Sequence, residues 1–500
     1  MKLIIKNLGP IKNCAIDLSK QYYFFIGYNN TGKTYLSKLL YEIFNEDNLQ
    51  DFTKEVLFNI PLTKEYSIVL TEEFVSTILQ SFATFIKDQI LPKSLKTNGE
   101  NAFLLKDLDI RFEFDMEKDI KKMSLTSSAA ISLRGMDMTE NRIDIYTLVK
   151  VANSLDVQCQ FYAEQDIANS LPNDFFDHVA RKTFEQQVHT IRQNVPKNLI
   201  ASTLSLLLQN KEKPFFLPAN RIFILENADD LIEQDNKRNE ELARNLLELL
   251  ESKESTKEKL GNAVAKNIAH KNSHQISQLV REVAKLRKHK DETFIKNGSG
   301  FFDDLLTILS KLMGGEISMN KLSSLSNWEE KYRISDSIAD KNRDLSLSLA
   351  SSSVNQLSTL FLYLKYWAKA ANNFLMIDEP EENLHPKSQI QLLDLLLTFA
   401  NKGNKLLLTT HSPLVAEIIN NYLVLSQLDN RKKMAAELNL MDINLSPQTA
   451  AIYFFNGTDV VAHKVGEYGT TFVSFKEAQD IVYGIGDVLG EQMFYQLNKN

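Results

Sequence analysis

Gly27-Tyr28-Asn29-Asn30-Thr31-Gly32-Lys33-Thr34 fits the spacing G-x-x-x-x-G-K-[ST]. That spacing suits phosphate chemistry. Glycines let the backbone curl tightly and come close to a ligand, so that its N–H groups wrap a phosphate. Lys33 then meets the β- and γ-phosphates, Thr34 offers a hydroxyl to Mg²⁺, and a following helix aims its positive end at the same anion. Gly27, Asn29, Asn30, Thr31, Gly32, Lys33 and Thr34 are therefore the candidate nucleotide-binding residues, with ATP and Mg²⁺ as the expected ligands. A second group follows far along the chain. Asn373–Glu379 reads NFLMIDE, an apolar strand ending in two acids. Asp378 suits a water-mediated hold on Mg²⁺, alongside Thr34, and Glu379 suits polarising the attacking water. His411, in Leu408-Thr409-Thr410-His411-Ser412-Pro413, ends another apolar run and could meet the γ-phosphate. Ser351, Ser352 and Ser353 open a helix, where hydroxyls and free N–H groups make an anion site. Alone, each of these later signals has a plainer reading: acids capping a buried strand, a structural histidine, an ordinary serine N-cap. Their order along the chain is what makes them specific.

These residues need a frame. Residues 2–5 and 22–26 read as strands, and Leu36, Leu39, Leu40 and Ile43 recur at helical spacing after the phosphate loop. Asn373–Ile377 and Lys405–Leu408 are short, buried-type strands with helical patterns around them, so an α/β fold with a largely parallel sheet is expected. A helix is expected from the serines to about Ala371. Between the phosphate loop and Asp378 lies more chain than a compact domain needs. Asp109–Met116 and Asp144–Val151 alternate like half-buried strands, and 175–209 looks helical. Residues 226–297 contain one glycine, Gly261, with an acidic half before it and a basic half after it. Leu242, Leu246, Leu249, Leu250 and then Ile276, Leu279, Val283, Leu286 suggest two antiparallel helices turning near Gly261, a short coiled coil. The basic residues Lys285, Arg287, Lys288 and Lys290 read either as a solvated face or as a contact with nucleic acid or a partner.

Composition narrows the class. Of 500 residues only 17 are glycine, and between Lys33 and Asn297 only Gly99, Gly135 and Gly261 occur. That excludes Gly-rich solenoids and linkers. A net charge of −7 excludes a basic nucleic-acid coat. Two cysteines, Cys14 and Cys159, are too few for a disulfide framework. No run approaches the length of a membrane helix and no signal peptide is evident, so the expected location is the cytoplasm. The His270/His274 pair has i, i+4 spacing but a lysine-rich setting unlike a zinc site.

The order phosphate loop, serine turn and helix, acid strand, histidine strand resembles the ATP-binding-cassette (ABC) ATPase class. It does not look like strict AAA+ proteins, kinases or Ras-like GTPases. Within the class it is similar to the SMC/RecF/OLD branch, and to the bacterial anti-phage defence ATPases of the Septu (PtuA-like) and PARIS (AriA-like) kind. Asn7-Leu8-Gly9-Pro10-Ile11-Lys12, Phe216-Leu217-Pro218-Ala219-Asn220-Arg221, Asp378–Pro386 and Thr409–Ser412 carry the resemblance. Ser353 and Val354 depart from it, standing where the branch has a glycine and an acid. The resemblance implies a homodimer, with a higher oligomer expected, in which each ATP lies between one copy's Gly27–Thr34, Asp378 and Glu379 and the other's Ser351–Ser353. Catalysis would fall to Glu379 and His411, and Asn383 would sit at the dimer seam. The implied organisation is an ABC-type head with inserted α/β and helical-hairpin regions. The head would take 1–50, 213–225 and 298–430, the inserted α/β region 51–212, the hairpin 226–297, and a closing α/β segment 431–500.

Three functions remain open at this level. One is a defence ATPase that scaffolds a separate effector, a TOPRIM or HNH nuclease, and responds to a phage protein. It is favoured because the 89 residues after His411 show no convincing TOPRIM acids. Another is a RecF- or SMC-like DNA-repair ATPase, which leaves nucleic-acid binding open. The third is a self-contained nuclease with its site in residues 50–220.

Overall fold

The computed structural model describes residues 1–55, 67–95, 97, 99–134, 140–161, 195–208, 213–228, 274–321, 328–334, 344–438 and 440–464, with isolated positions elsewhere. The strands are β1 (Lys2–Leu8), β2 (Ile11–Asp17), β3 (Tyr22–Gly27), β4 (Ser67–Val69), β5 (Asp109–Glu113), β6 (Leu125–Arg134), β7 (Glu140–Lys150) and β8 (Asp156–Phe161). They continue as β9 (Lys213–Leu217), β10 (Gly315–Lys321), β11 (Trp328–Ile334), β12 (Asp344–Ser346), β13 (Asn373–Asp378), β14 (Lys405–Thr410), β15 (Ala450–Asn456) and β16 (Asp459–His463). The helices are α1 (Lys33–Phe44), α2 (Glu46–Glu55), α3 (Glu72–Phe85), α4 (Leu91–Ser94), α5 (Val195–Leu207), α6 (Arg221–Glu226) and α7 (His274–Arg287). After them come α8 (Glu292–Asn297), α9 (Asp303–Met313), α10 (Ser352–Leu362), α11 (Pro386–Asn401), α12 (Pro413–Leu425) and α13 (Arg431–Glu437).

A nine-stranded sheet runs β5-β1-β2-β16-β15-β3-β14-β13-β9. From β15 to β9 every pairing is parallel. The other half mixes antiparallel pairs with one parallel contact between β16 and β2. Parallel strands need cover on both faces, and every residue of β3, β13 and β14 is buried. Side chains alternate between two cores. Tyr23, Phe25, Phe374, Met376 and Leu407 join the core that holds α1. Tyr22, Phe24, Ile26, Leu375, Ile377, Leu406 and Leu408 join the opposite one, with residues of α9 to α12. Continuing that alternation by one step sends Asp378 and Thr409 to the α1 face.

The described part of residues 51–212 is continuous with this frame. β5 pairs with β1 at the sheet edge, and Val75, Ile78, Leu148 and Leu199 lie in the same core as Leu36 and Leu40. A four-stranded sheet, β4-β8-β7-β6, belongs to this region. Of the expected hairpin, 238–273 and its turn at Gly261 lie outside the described residues, as does His270. Its C-terminal part forms α7 and α8, and Leu279, Val283 and Leu286 of α7 are buried in the second core of the head.

The helix after the serines is shorter than the expected run to Ala371. α10 passes into a π-helical turn, Tyr363–Trp367, closed by the Ala368 N–H on Tyr363 O at 2.8 Å. Asn373 then takes over the backbone. Its Oδ1 accepts from Lys369 N at 2.8 Å and its Nδ2 donates to Lys369 O at 2.7 Å, folding the chain into β13. Both cysteines are free and buried, and burial pushes the Cys14 thiol up to about 12. Among the described residues no helix is long and apolar enough to cross a membrane.

Candidate active site

Register brings the distant segments together. Asp378 pairs with Thr409, Thr410 with Ile26, and Phe455 with Gly27. The C-terminal ends of β13, β14 and β3 therefore lie at one level, the end of a parallel sheet where ligands bind.

Gly27 has φ 146 and packs directly on β15. A Cβ there would lie 2.3 Å from Phe455 O. Asn30 (φ 60) and Gly32 (φ 95) make the left-handed turns that curl the loop back into α1. Thr31 Oγ1 donates to Tyr28 O at 2.7 Å and braces the curl. Asn29 and Asn30 are exposed at its rim. Lys33 is buried and donates to Gly27 O at 3.0 Å and Tyr28 O at 2.6 Å. Burial lowers its pKa, against the opposing pull of Glu379, Asp378 and Glu381.

Thr34 Oγ1 donates to Asp378 Oδ2 at 3.0 Å, spanning 344 positions of sequence. Thr409 Oγ1 donates to the other oxygen, Asp378 Oδ1. Glu379 leaves the strand with φ 46, its N–H held by Thr409 O at 3.2 Å. His411 Nδ1 lies 3.1 Å from Glu379 Oε1. Behind them Glu381 is buried, accepts from Thr410 Oγ1, and has its Oε2 without a hydrogen-bond partner. Burial raises its pKa. Asn383 is exposed with φ 59, two residues before His385 caps α11 by accepting from Lys387 N.

Thr31, Lys33, Thr34, Glu379 and His411 line one cleft of about 820 Å³ with Gly9, Pro10, Tyr35, Phe103 and Leu104. Ser351, Ser352 and Ser353 do not line it. Ser351 N-caps α10 by accepting from Val354 N at 3.3 Å and lies 2.9 Å from Ser353 Oγ. Ser351 and Ser352 are exposed beside Leu349, an apolar side chain 74% exposed.

Arg221 was legible in the sequence only as the last residue of the Phe216–Arg221 element. It is 1% exposed and braces the acid strand. Its guanidinium donates to Asp378 O, Pro218 O and Gln356 O, each at 3.0 Å. Desolvation pushes it down to about 10, opposed by the Asp378, Glu382, Glu381 and Glu379 charges, so it remains cationic at neutral pH. A single arginine just after an apolar strand was the available signal. Thr409 and Thr410, which hold Asp378 and Glu381, also stood only within a resemblance, Thr409–Ser412, because their partners depend on strand register.

Of the basic residues near the end of the expected hairpin, Arg287 makes a buried ion pair with Glu330 at 3.0 Å, and Lys285 pairs with Glu282 at 2.8 Å. No cluster of three or more His, Cys, Asp or Glu suited to a metal occurs among the described residues.

A phosphate loop beside strand-end acids and a histidine, on adjacent parallel strands, is the arrangement of a P-loop nucleotide hydrolase. A family model described as AAA ATPase domain matches residues 1–416, and the chain belongs to that family. It is an ATPase with a mixed α/β fold built on a large sheet. No curated protein matches the chain. Among solved structures, the chain is similar to the Smc head domain with an extended coiled coil bound to the C-terminal domain of ScpA from Pyrococcus furiosus. Identity is 13%, coverage 97% of this chain and 98% of that one, and the TM-score 0.33. It is also similar to an SmcHead bound to the C-winged helix domain of ScpA, at 12% identity, 95% and 98% coverage and a TM-score of 0.31.

Proposed function

We propose that two copies of this chain close on ATP and Mg²⁺ and that hydrolysis controls a separate, nuclease-type effector in anti-phage defence. The observation that carries the nucleotide reading is the 3.0 Å contact of Thr34 Oγ1 with Asp378 Oδ2, on a cleft shared by Lys33, Glu379 and His411. Lys33 exchanges its carbonyl partners for phosphate oxygens. The Thr34 hydroxyl and Asp378 carboxylate are hard oxygen donors, which fit Mg²⁺; that ion prefers one or two carboxylates with phosphate and water. When bound, it neutralises charge on the phosphate oxygens. Glu379 takes the proton of the attacking water, and His411 orients Glu379 and faces the γ-phosphate.

The dimer reading is supported by the exposed Ser351 and Ser352, which lie outside their own chain's cleft, and by the exposed Leu349 next to them. A second copy's phosphates would meet the serines, and its surface would cover Leu349. Asn383 would lie at that seam. Ser353 and Val354 loosen the grip there and slow turnover. The effector and the phage trigger rest on the motif resemblance at Asn7–Lys12, Phe216–Arg221, Asp378–Pro386 and Thr409–Ser412, and the cytoplasmic setting on the sequence composition.

The test is purification of the chain with the products of its neighbouring reading frames, with and without ATP and Mg²⁺. The expected result is Mg²⁺-dependent hydrolysis and a TOPRIM or HNH protein whose association changes with ATP. DNA cleavage by the purified chain alone would overturn the separate effector.

A further inference from the structure

Phe103 lies in the short 3-10 helix Gly99–Leu105 and is 69% exposed, although it lines the same cleft as the phosphate loop. The lining of that cleft is mixed: Lys33, Thr34, Glu379 and His411 are charged or polar, and Pro10, Phe103 and Leu104 are apolar. A ligand whose phosphates are held by the polar residues has its remaining atoms to place in the same cleft, and a flat aromatic face suits a flat heterocycle. The segment that carries Phe103 is anchored at Leu104 and Leu105. Gly9 N donates to Leu104 O at 3.1 Å, and Leu105 is buried in the first core. Gly9 has φ 56, and a Cβ there would lie 3.0 Å from Tyr35 of α1, so the β1–β2 turn, α1 and the Phe103 segment meet at one point.

We propose that Phe103 stacks on the adenine base of the bound nucleotide. This rests on the reading that phosphates bind at Gly27–Thr34. It makes a residue far outside the phosphate loop, in the region just ahead of β5, part of the nucleotide site.

The test is equilibrium binding of ATP and of inorganic tripolyphosphate to the full chain, as wild type, Lys33→Ala, Phe103→Ala and Phe103→Trp. Phe103→Ala weakens ATP roughly tenfold, the usual scale for one base stacked on one aromatic ring, and leaves tripolyphosphate unchanged. In Phe103→Trp, ATP affinity is kept and ATP, but not tripolyphosphate, quenches the new indole fluorescence. Unchanged ATP affinity in Phe103→Ala, equal weakening of both ligands, or no ATP-specific quenching overturns the stacking role. Undiminished ATP binding by Lys33→Ala would instead remove the phosphate-loop reading beneath it.

Discussion

Lys33 and Glu381 show how burial sets the charge balance of the site. The Lys33 ammonium is held among carbonyls and three carboxylates while being desolvated. Lys33→Ala should leave the fold intact and abolish ATP binding, read by calorimetry. Glu381 has the opposite problem: a buried carboxyl with one oxygen unpartnered and a pKa raised from the ordinary 4.5. A group whose folded pKa is raised binds its proton more tightly when folded, so its stabilising share is present below 4.5 and is lost as pH rises through the folded value. Glu381→Gln removes that loss, so melting temperature should rise at neutral pH and depend less on pH above 4.5. An unchanged pH profile would contradict the buried-carboxyl account. Lys33, Thr34, Asp378, Glu379 and His411 stood out as candidates because phosphate chemistry suits those residue types in that order, and the structure brings Thr34 onto Asp378 and His411 beside Glu379. The roles of Thr409, Thr410 and Arg221 were not legible, since each is defined by a partner that only pairing brings near.

At the scale of elements, Gly27 is where β3 becomes the phosphate loop. Gly27→Ala puts a methyl 2.3 Å from Phe455 O and imposes φ 146 on an L-residue. It should part β3 from β15, cost on the order of 3 kcal/mol, and weaken ATP binding, measured by thermal melts and calorimetry. Full stability in that variant would show that the β3–β15 contact relaxes freely. β3, β13 and β14 were legible as strands because burial on both faces makes continuous apolar runs. The end of α10 was not: the apolar pattern continues past Trp367, but Asn373 and the π turn divert the backbone. Ser353→Gly should raise turnover if the serine turn closes on the γ-phosphate of a second copy, read as steady-state phosphate release.

Across the whole molecule, α7 joins the phosphate-loop helix to the rest of the head through buried polar pairs. Gln275 donates to Glu42 Oε1 at 2.9 Å and Gln278 Oε1 accepts from Tyr41 at 3.1 Å. Gln275→Leu should therefore cost about 1–3 kcal/mol in denaturant unfolding; no loss would mean that Glu42 is satisfied without it. The charge reversal around Gly261 pointed to an arm, and nothing in it announced that Leu279, Val283 and Leu286 complete a core built from β3 and β13. The pairing of β5 with β1 was hidden for the same reason: it is set by tertiary contact between segments over a hundred residues apart. Under the proposed function the two strand-end acids and the phosphate loop form one ATP-hydrolysing site that closes between two copies. Glu379→Gln tests it most directly, by phosphate release and molecular mass measured together in ATP and Mg²⁺. The expected result is one ATP bound per chain, hydrolysis slowed by on the order of a hundredfold or more, and a dimer that persists until ATP is removed. Hydrolysis at the wild-type rate, or a monomer with ATP bound, would contradict it.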